Sequence, residues 1–164
     1  MGLRSALKTV ENKSWSNAKV HIKPLETEAD LIYAACECEL AEEQKELVNP
    51  AWFSIGRAYL FREDNYPCII YNERLSPIGF MNFCKWLGEG DAYSWSYFID
   101  QGYQGKGYGK AAATLAVQIL KTADDTKPIK LAAEKYNERA KRLYFSLGFT
   151  LLPELDGDDL VFGL

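Results

Sequence analysis

Apolar positions recur with a period near two through the middle of the chain and near 3.6 on either side of it. "KVHIKPL" alternates Val20, Ile22 and Pro24 against polar neighbours, which predicts a short first strand ended by proline. "TEADLIYAACECELAEEQ" follows, with Thr27 as N-cap, acids in the first turn, and Leu31, Ala34, Ala35 and Cys38 at helical spacing. A second helical piece, from about Pro50 to Phe61, sets Phe53, Arg57 and Leu60 on one side. "YPCIIYN", "PIGFMNFCKWL" and "AYSWSYFI" read as an antiparallel meander joined by the polar segments "ERLS" and "GEGD". Beyond a glycine-rich stretch, "KAAATLAVQILK" holds Ala112, Leu115, Ala116 and Ile119 on one helical face. Strand "IKLAAE", helix "NERAKRLYFSL" and strands "FTLLPEL" and "LVFGL" complete the order. The pattern predicts an α+β domain, a mixed sheet with helices on both faces.

Residues 1–18, "MGLRSALKTVENKSWSNA", are mostly polar and show little periodicity. They are read as a flexible N-terminal extension whose Ser16-Asn17-Ala18 step resembles a cloning remnant, and the single domain is placed at 19–164. A length of 164 residues suits one domain, and 48% hydrophobic residues supply a core for it. A formal charge of -4 argues against a nucleic-acid binder and suits a cationic small molecule. Cys36, Cys38, Cys68 and Cys84 lack paired zinc spacing, so no metal is expected. His21, the only histidine, lies in the first strand, which disfavours a histidine-based triad. No apolar run approaches a membrane span or a signal-peptide core, so a cytoplasmic protein without membrane contact is expected.

The stretch with chemistry in it is "DQGYQGKGYGK". Placed between a strand and a helix, its amides become the helix's unsatisfied N-terminal donors, and the helix dipole makes an anion site of them. Gly105, Gly107 and Gly109 permit positive φ and close approach, while Lys106 and Lys110 add charge at the rim, so a pyrophosphate is the natural guest. The stretch is neither a nucleoside-triphosphatase loop, since Lys110 is followed by alanine, nor a dinucleotide GxGxxG.

"QGKGYG" resembles the (Q/R)xxGx(G/A) loop of the GNAT superfamily of acyl-CoA-dependent N-acetyltransferases, with Gln104 first, Gly107 third and Gly109 last. "EKYNERAKRLYFSLGF" is similar to the family's second signature, an Asn opening a helix that bears a Tyr and ends at Gly-Phe. The resemblance implies the GNAT fold: a largely antiparallel sheet of six to seven strands, about four helices, and a V-shaped split between two parallel strands, "AYSWSYFI" and "IKLAAE". It implies that acetyl-CoA lies in the split. Phe98 and Ile99 would pair with its pantetheine arm, and Gln104, Gly105, Lys106, Gly107, Tyr108, Gly109 and Lys110 would hold its pyrophosphate.

Amine attack on a thioester needs a deprotonated nucleophile, an oxyanion donor and a proton for the leaving thiolate. By its place in the second signature Tyr144 supplies that proton, although Ala140, Leu143, Tyr144 and Leu147 also share one face that a core would bury. Asn137 has two compatible tasks, capping its helix and facing the cofactor arm, while Ser146 and Lys141 could approach the adenosine end. Asp100 and Glu134, at the ends of the facing strands, are the candidate bases. Glu26, Glu28, Asp30, Glu37, Glu39, Glu42, Glu43 and Glu46 crowd the first helical region, either as an acceptor wall that attracts a polyamine or as a solvated face. The chain resembles the bacterial spermine/spermidine acetyltransferase branch most, which implies a small-molecule amine as acceptor. A protein acetyltransferase and a silent acyl-CoA-binding module remain the alternatives, and family habit implies a homodimer through the C-terminal strands.

Overall fold

The computed structural model describes residues 1–11 and 15–164. Strands β1 (Val20–Pro24), β2 (Asn65–Asn72), β3 (Pro77–Lys85) and β4 (Tyr93–Ile99) form an antiparallel sheet in that order. Strands β5 (Lys130–Ala133), β6 (Thr150–Asp156) and β7 (Asp159–Gly163) form a second antiparallel sheet, ordered β5-β7-β6. The two meet at one parallel bridge, Tyr93 with Ile129, where the Tyr93 N–H donates to the Pro128 carbonyl at 2.9 Å. Pairing stops there, and β4 and β5 part toward their C-terminal ends. The expected split is present, and the expected mixed sheet is two sheets joined at its apex.

Alternation along β4 decides what covers each face. Tyr93, Trp95 and Ile99 point into a core shared with α4 (Tyr108–Ala123), whose Ala112, Ala113, Leu115, Ala116, Ile119 and Leu120 are buried. Phe98 points to the opposite face, where it joins Ile69, Phe80, Ala34 and Ala51 beneath the turn that follows α2 (Glu28–Ile32) and beneath α3 (Ala51–Leu60). Helix α5 (Glu138–Ser146) lays its half-buried Ala140, Leu143, Tyr144 and Leu147 on the main core, the face the sequence predicted. No described helix is long and apolar enough to cross a membrane.

Two expectations are corrected. Residues 1–18 are not outside the fold: α1 (Leu3–Val10) buries Leu3, Ala6, Leu7 and Val10 in the main core, and Arg4 donates to the Arg62 and Asn65 carbonyls at 2.8 and 3.1 Å. Eight residues display the i, i+3, i+4, i+7 pattern only once, too little to stand out from polar surroundings. Asn17 also belongs to the domain, its Nδ2 donating to the Ala111 carbonyl at 2.9 Å, while residues 12–14 of that expectation lie outside the described residues. Helix α3 keeps Phe53, Arg57 and Leu60 on one side, as expected; Phe53 and Leu60 there are exposed, while Ala51, Ser54 and Ala58 are buried on the other. Small residues are what the space beside Phe80 and Phe98 admits. The second correction is to the first long helix. Its Thr27 cap is as expected, reinforced by Asp30 in a reciprocal capping box, but it widens into a π turn over Tyr33–Glu37 and ends before Cys38, with Leu31 and Ala35 exposed.

Candidate active site at the split

Hydrogen-bond alternation assigns the backbone of β4. The Asp100 N–H donates to Ile78 and the Trp86 N–H to Ala92, so even-numbered β4 residues face β3 and odd-numbered ones face the split, as the Tyr93 bond to Pro128 requires. Trp95, Tyr97 and Ile99 therefore turn their N–H groups to the split. Phe98 turns its N–H and C=O to Phe80 of β3, which corrects its expected part in pairing with a ligand in the split. On the other wall the Ile129 and Leu164 exchange fixes odd residues toward β7 and leaves Ala132 facing β4.

Helix α4 begins at the mouth of this split. Its N-cap, Gly107, lies in the left-handed region at φ 84 and offers no side chain, so the N–H groups of Tyr108, Gly109 and Lys110 have no cap and no carbonyl within the helix. Gly105 is likewise left-handed, at φ 75, whereas Gly109 is helical, which corrects its expected positive φ. The Gly109 carbonyl accepts from the Tyr97 hydroxyl at 3.0 Å, which locks the first turn of α4 against β4. Gln104 braces the loop from below, its Nε2 donating to the Ile99 carbonyl at 2.9 Å and to Gln44 Oε1 at 2.7 Å. Lys106 and Lys110 are exposed at the rim, with the Lys106 ammonium over the Tyr103 ring. Lys19, missed in the sequence because it borders the presumed extension, lies across the loop: its Nζ donates to the Lys106 carbonyl at 2.8 Å and stands over the Tyr108 ring. These donors and cations fit a pyrophosphate, and the open backbone of β4 fits an amide-bearing chain.

Tyr144 reaches the split from α5. Its ring packs on Phe149 and Phe162 with centroids 5.9 and 5.3 Å away, and its hydroxyl donates to the Ala132 carbonyl at 3.5 Å, the outer limit of a hydrogen bond. Burial pushes the phenol up to about 12, so it stays protonated throughout the physiological range. Burial also raises the neighbouring Tyr97 phenol, with a smaller contribution from Tyr144.

The remaining candidates separate. Asn137 caps α5, its Oδ1 accepting from the Ala140 N–H at 3.1 Å. Ser146 is exposed and donates back to the Leu143 carbonyl at 2.7 Å, and Lys141 pairs with Glu138 at 2.5 Å. Glu134 is exposed at the end of β5. Asp100 has both carboxylate oxygens engaged: Oδ1 accepts from the Gly102 N–H and Oδ2 from the Glu39 N–H, each at 2.9 Å. The Gln101 N–H adds a bond to the Glu39 carbonyl at 2.9 Å, so the 38–44 segment is stitched to the loop that follows β4.

That segment forms one wall of a cavity of about 600 Å³ on the Phe98 face, lined also by Ala34, Cys38, Pro50 and Gln101. Of the eight acidic residues singled out in the sequence, Glu39 and Glu42 line it. Lys45 pairs with Glu42 at 2.5 Å, and Gln101 donates to Glu39. Burial pushes the Cys38 thiol up to about 12, the Tyr33 side chain opposing the rise and Asp100 adding to it. A second cavity of about 200 Å³, lined by Met1, Asp64 and Lys127, is formed by residues away from the loop.

Comparison with known proteins gives this geometry a family. Residues 29–149 match the acetyltransferase (GNAT) family, and the chain belongs to it. It is 42% identical over 60 residues to a spermine/spermidine N(1)-acetyltransferase of Bacillus subtilis, a match spanning 37% of this chain and 40% of that protein. Among solved structures it is similar to an aminoglycoside acetyltransferase, AAC(6')-Ib, in complex with coenzyme A. That likeness is 22% identical over 88% of this chain and 94% of the other, with a TM-score of 0.68. RimJ of Mycobacterium smegmatis, in complex with CoA-disulfide, is 19% identical over 88% and 81%, with a TM-score of 0.66. At these identities the solved structures establish the fold.

Proposed function

We propose that the protein transfers the acetyl group of acetyl-CoA to a primary amine of a small cationic acceptor, a polyamine such as spermidine or spermine, by direct attack with both substrates bound. Acetyl-CoA, when bound, supplies an activated acyl carbon and a thiolate leaving group. The N–H groups of Tyr108, Gly109 and Lys110, with Lys19 and Lys106, hold the pyrophosphate, and Tyr97 and Ile99 offer backbone N–H groups to the arm. Tyr144 acts as hydrogen-bond donor to the departing sulfur. A phenol near 12 is a weaker acid than a thiol near about 8.5, so it stabilises the thiolate. The proton that ends on sulfur is one that the amine gives up.

The acceptor enters through the cavity behind Phe98. Lys45 neutralises Glu42, which leaves Glu39 as the carboxylate to hold an ammonium there. Asp100 is a positioning residue in this reading, since both its oxygens already hold backbone N–H groups. The observation that carries the proposal is the convergence on one split of the uncapped α4 N-terminus, the free edge of β4 and the half-buried Tyr144 phenol. The partial match to the Bacillus enzyme and the carboxylates of the cavity favour a polyamine. Thiol release from acetyl-CoA with spermidine, spermine, an aminoglycoside and a lysine peptide tests it. Release with spermidine or spermine above the other amines is the expected result, and a preference for the peptide would overturn the acceptor class.

A further inference from the structure

Helix α3 is apolar on both sides. Its inner face, Ala51, Ser54 and Ala58, is buried, yet Trp52 is 62% exposed, Phe53 40%, Tyr59 87% and Leu60 71%. These four stand at −4, −3, +3 and +4 from Gly56, so they form one stripe that reads alike in either direction along the helix. Arg57 is the only charged residue of α3, and it lies over the ring of Phe61, itself half exposed, 5.2 Å from the centroid. Gly56, at the centre, is exposed, and no described residue comes within 4 Å of the point a Cβ would occupy. It has no positive φ either. Glycine is the costliest residue short of proline in a helix interior, and within its own chain nothing here requires it.

We infer that this face is the contact of a two-fold dimer, in which α3 packs antiparallel on α3 of a second copy and the helices cross at Gly56. A two-fold axis through that point sets Trp52 against the partner's Leu60 and Phe53 against the partner's Tyr59, each pair occurring twice. Facing glycines let the two backbones come closer than the usual helix–helix separation, which gives Gly56 the reason its own chain does not. From the exposed fractions, the aromatic and leucine side chains offer on the order of 600 Å² per copy, which reaches the lower end of stable interfaces. A stripe free of charge and rich in Trp, Tyr and Phe has the composition of an interface centre. The inference is independent of the acetyl-transfer reading, and it differs from the dimer through C-terminal strands that the family resemblance implied.

Sedimentation velocity of the full chain from nanomolar to high micromolar concentration tests it, with variants at both faces. The unaltered chain forms a dimer, Tyr59→Lys is monomeric throughout, and Leu155→Lys on the exposed edge strand β6 leaves the dimer intact. Gly56→Ala separates the two roles of the glycine. It weakens the dimer by about ten-fold or more while the thermal midpoint of the dilute monomer holds or rises, since alanine is the better helix former. A chain that stays monomeric at every concentration overturns the inference, as does a dimer lost in Leu155→Lys but kept in Tyr59→Lys. Flotation with phosphatidylcholine vesicles that Tyr59→Lys abolishes, with no dimer in solution, would reassign the face to a lipid surface.

Discussion

Gly109 offers a test in which stability and ligand binding move in opposite directions. It is the second residue of α4, its backbone is helical, and a Cβ there would meet only Tyr97 Oη at 3.6 Å and an Ile99 side-chain carbon at 3.9 Å. Both are ordinary van der Waals contacts, so Gly109→Ala introduces no clash. Replacing glycine by alanine in a helix gains about 0.5–1 kcal/mol. For a chain of this size that is a rise of about 1–4 °C in thermal midpoint. If the pyrophosphate lies against the N–H groups of residues 108–110, the same methyl group stands in its way, and acetyl-CoA affinity falls by about ten-fold or more, about 1.4 kcal/mol. Gly107→Ala is the opposite control. At φ 84, with a Cβ 3.0 Å from Lys19 Nζ, it costs about 1–2 kcal/mol of stability and loses affinity as well. Differential scanning fluorimetry and isothermal titration of acetyl-CoA read both quantities. A Gly109→Ala protein that is more stable and binds acetyl-CoA unchanged would refute the placement of the phosphates at this turn.

Three further perturbations bear on the acceptor side and the scaffold. Glu39→Gln keeps a partner for Gln101 and removes a charge from the cavity, so KM for spermidine rises about ten-fold while KM for acetyl-CoA holds; equal changes in both would remove Glu39 from the acceptor site. Asp100→Asn leaves one of the Glu39 and Gly102 N–H groups without an acceptor, which costs about 1–3 kcal/mol of stability and raises the acceptor KM without moving the acid limb of the pH–rate profile. Loss of that limb would make Asp100 a base after all. Asp30 resists burial through the N–H groups of Glu26 and Thr27 and the hydroxyls of Thr27 and Tyr71, which together hold its carboxyl below the ordinary 3.8. A depressed folded value means stabilisation that is present above about pH 4 and lost as pH falls through it. Asp30→Asn accordingly destabilises by about 0.5–1 kcal/mol at pH 7 and by less below pH 3, in denaturant titrations at the two pH values.

Much of the site could be read in the sequence because its parts are local. A strand, four glycines and a helix in succession suffice to specify an uncapped N-terminus, and Thr27 followed by Asp30 specifies a capped one. What escaped depends on partners far along the chain. Nothing near Asp100 in sequence says that Glu39 will approach its carboxylate, and nothing near Lys19 points to residue 106. The choice of Tyr97 and Ile99 over Phe98 needs the register of β3 against β4, which one strand cannot supply. Tyr97 was within reach: period-two alternation sets it on the same face as Trp95 and Ile99, toward α4. The outer face of α3 was visible as well, as Phe53, Arg57 and Leu60 on one side, but hydrophobicity does not say which side of a helix is covered.

The central claim is acetyl transfer at the split with Tyr144 as donor, and single-turnover thiol release by the unaltered protein and by Tyr144→Phe, with spermidine and acetyl-CoA, tests it most directly. Phenylalanine keeps the packing on Phe149 and Phe162 and gives up only a hydrogen bond at the limit of its range, so folding and acetyl-CoA affinity hold. The account predicts release by the unaltered protein and a rate about 10²–10³-fold lower in the variant. Equal rates in the two proteins, or tight acetyl-CoA binding with no thiol released, would contradict it.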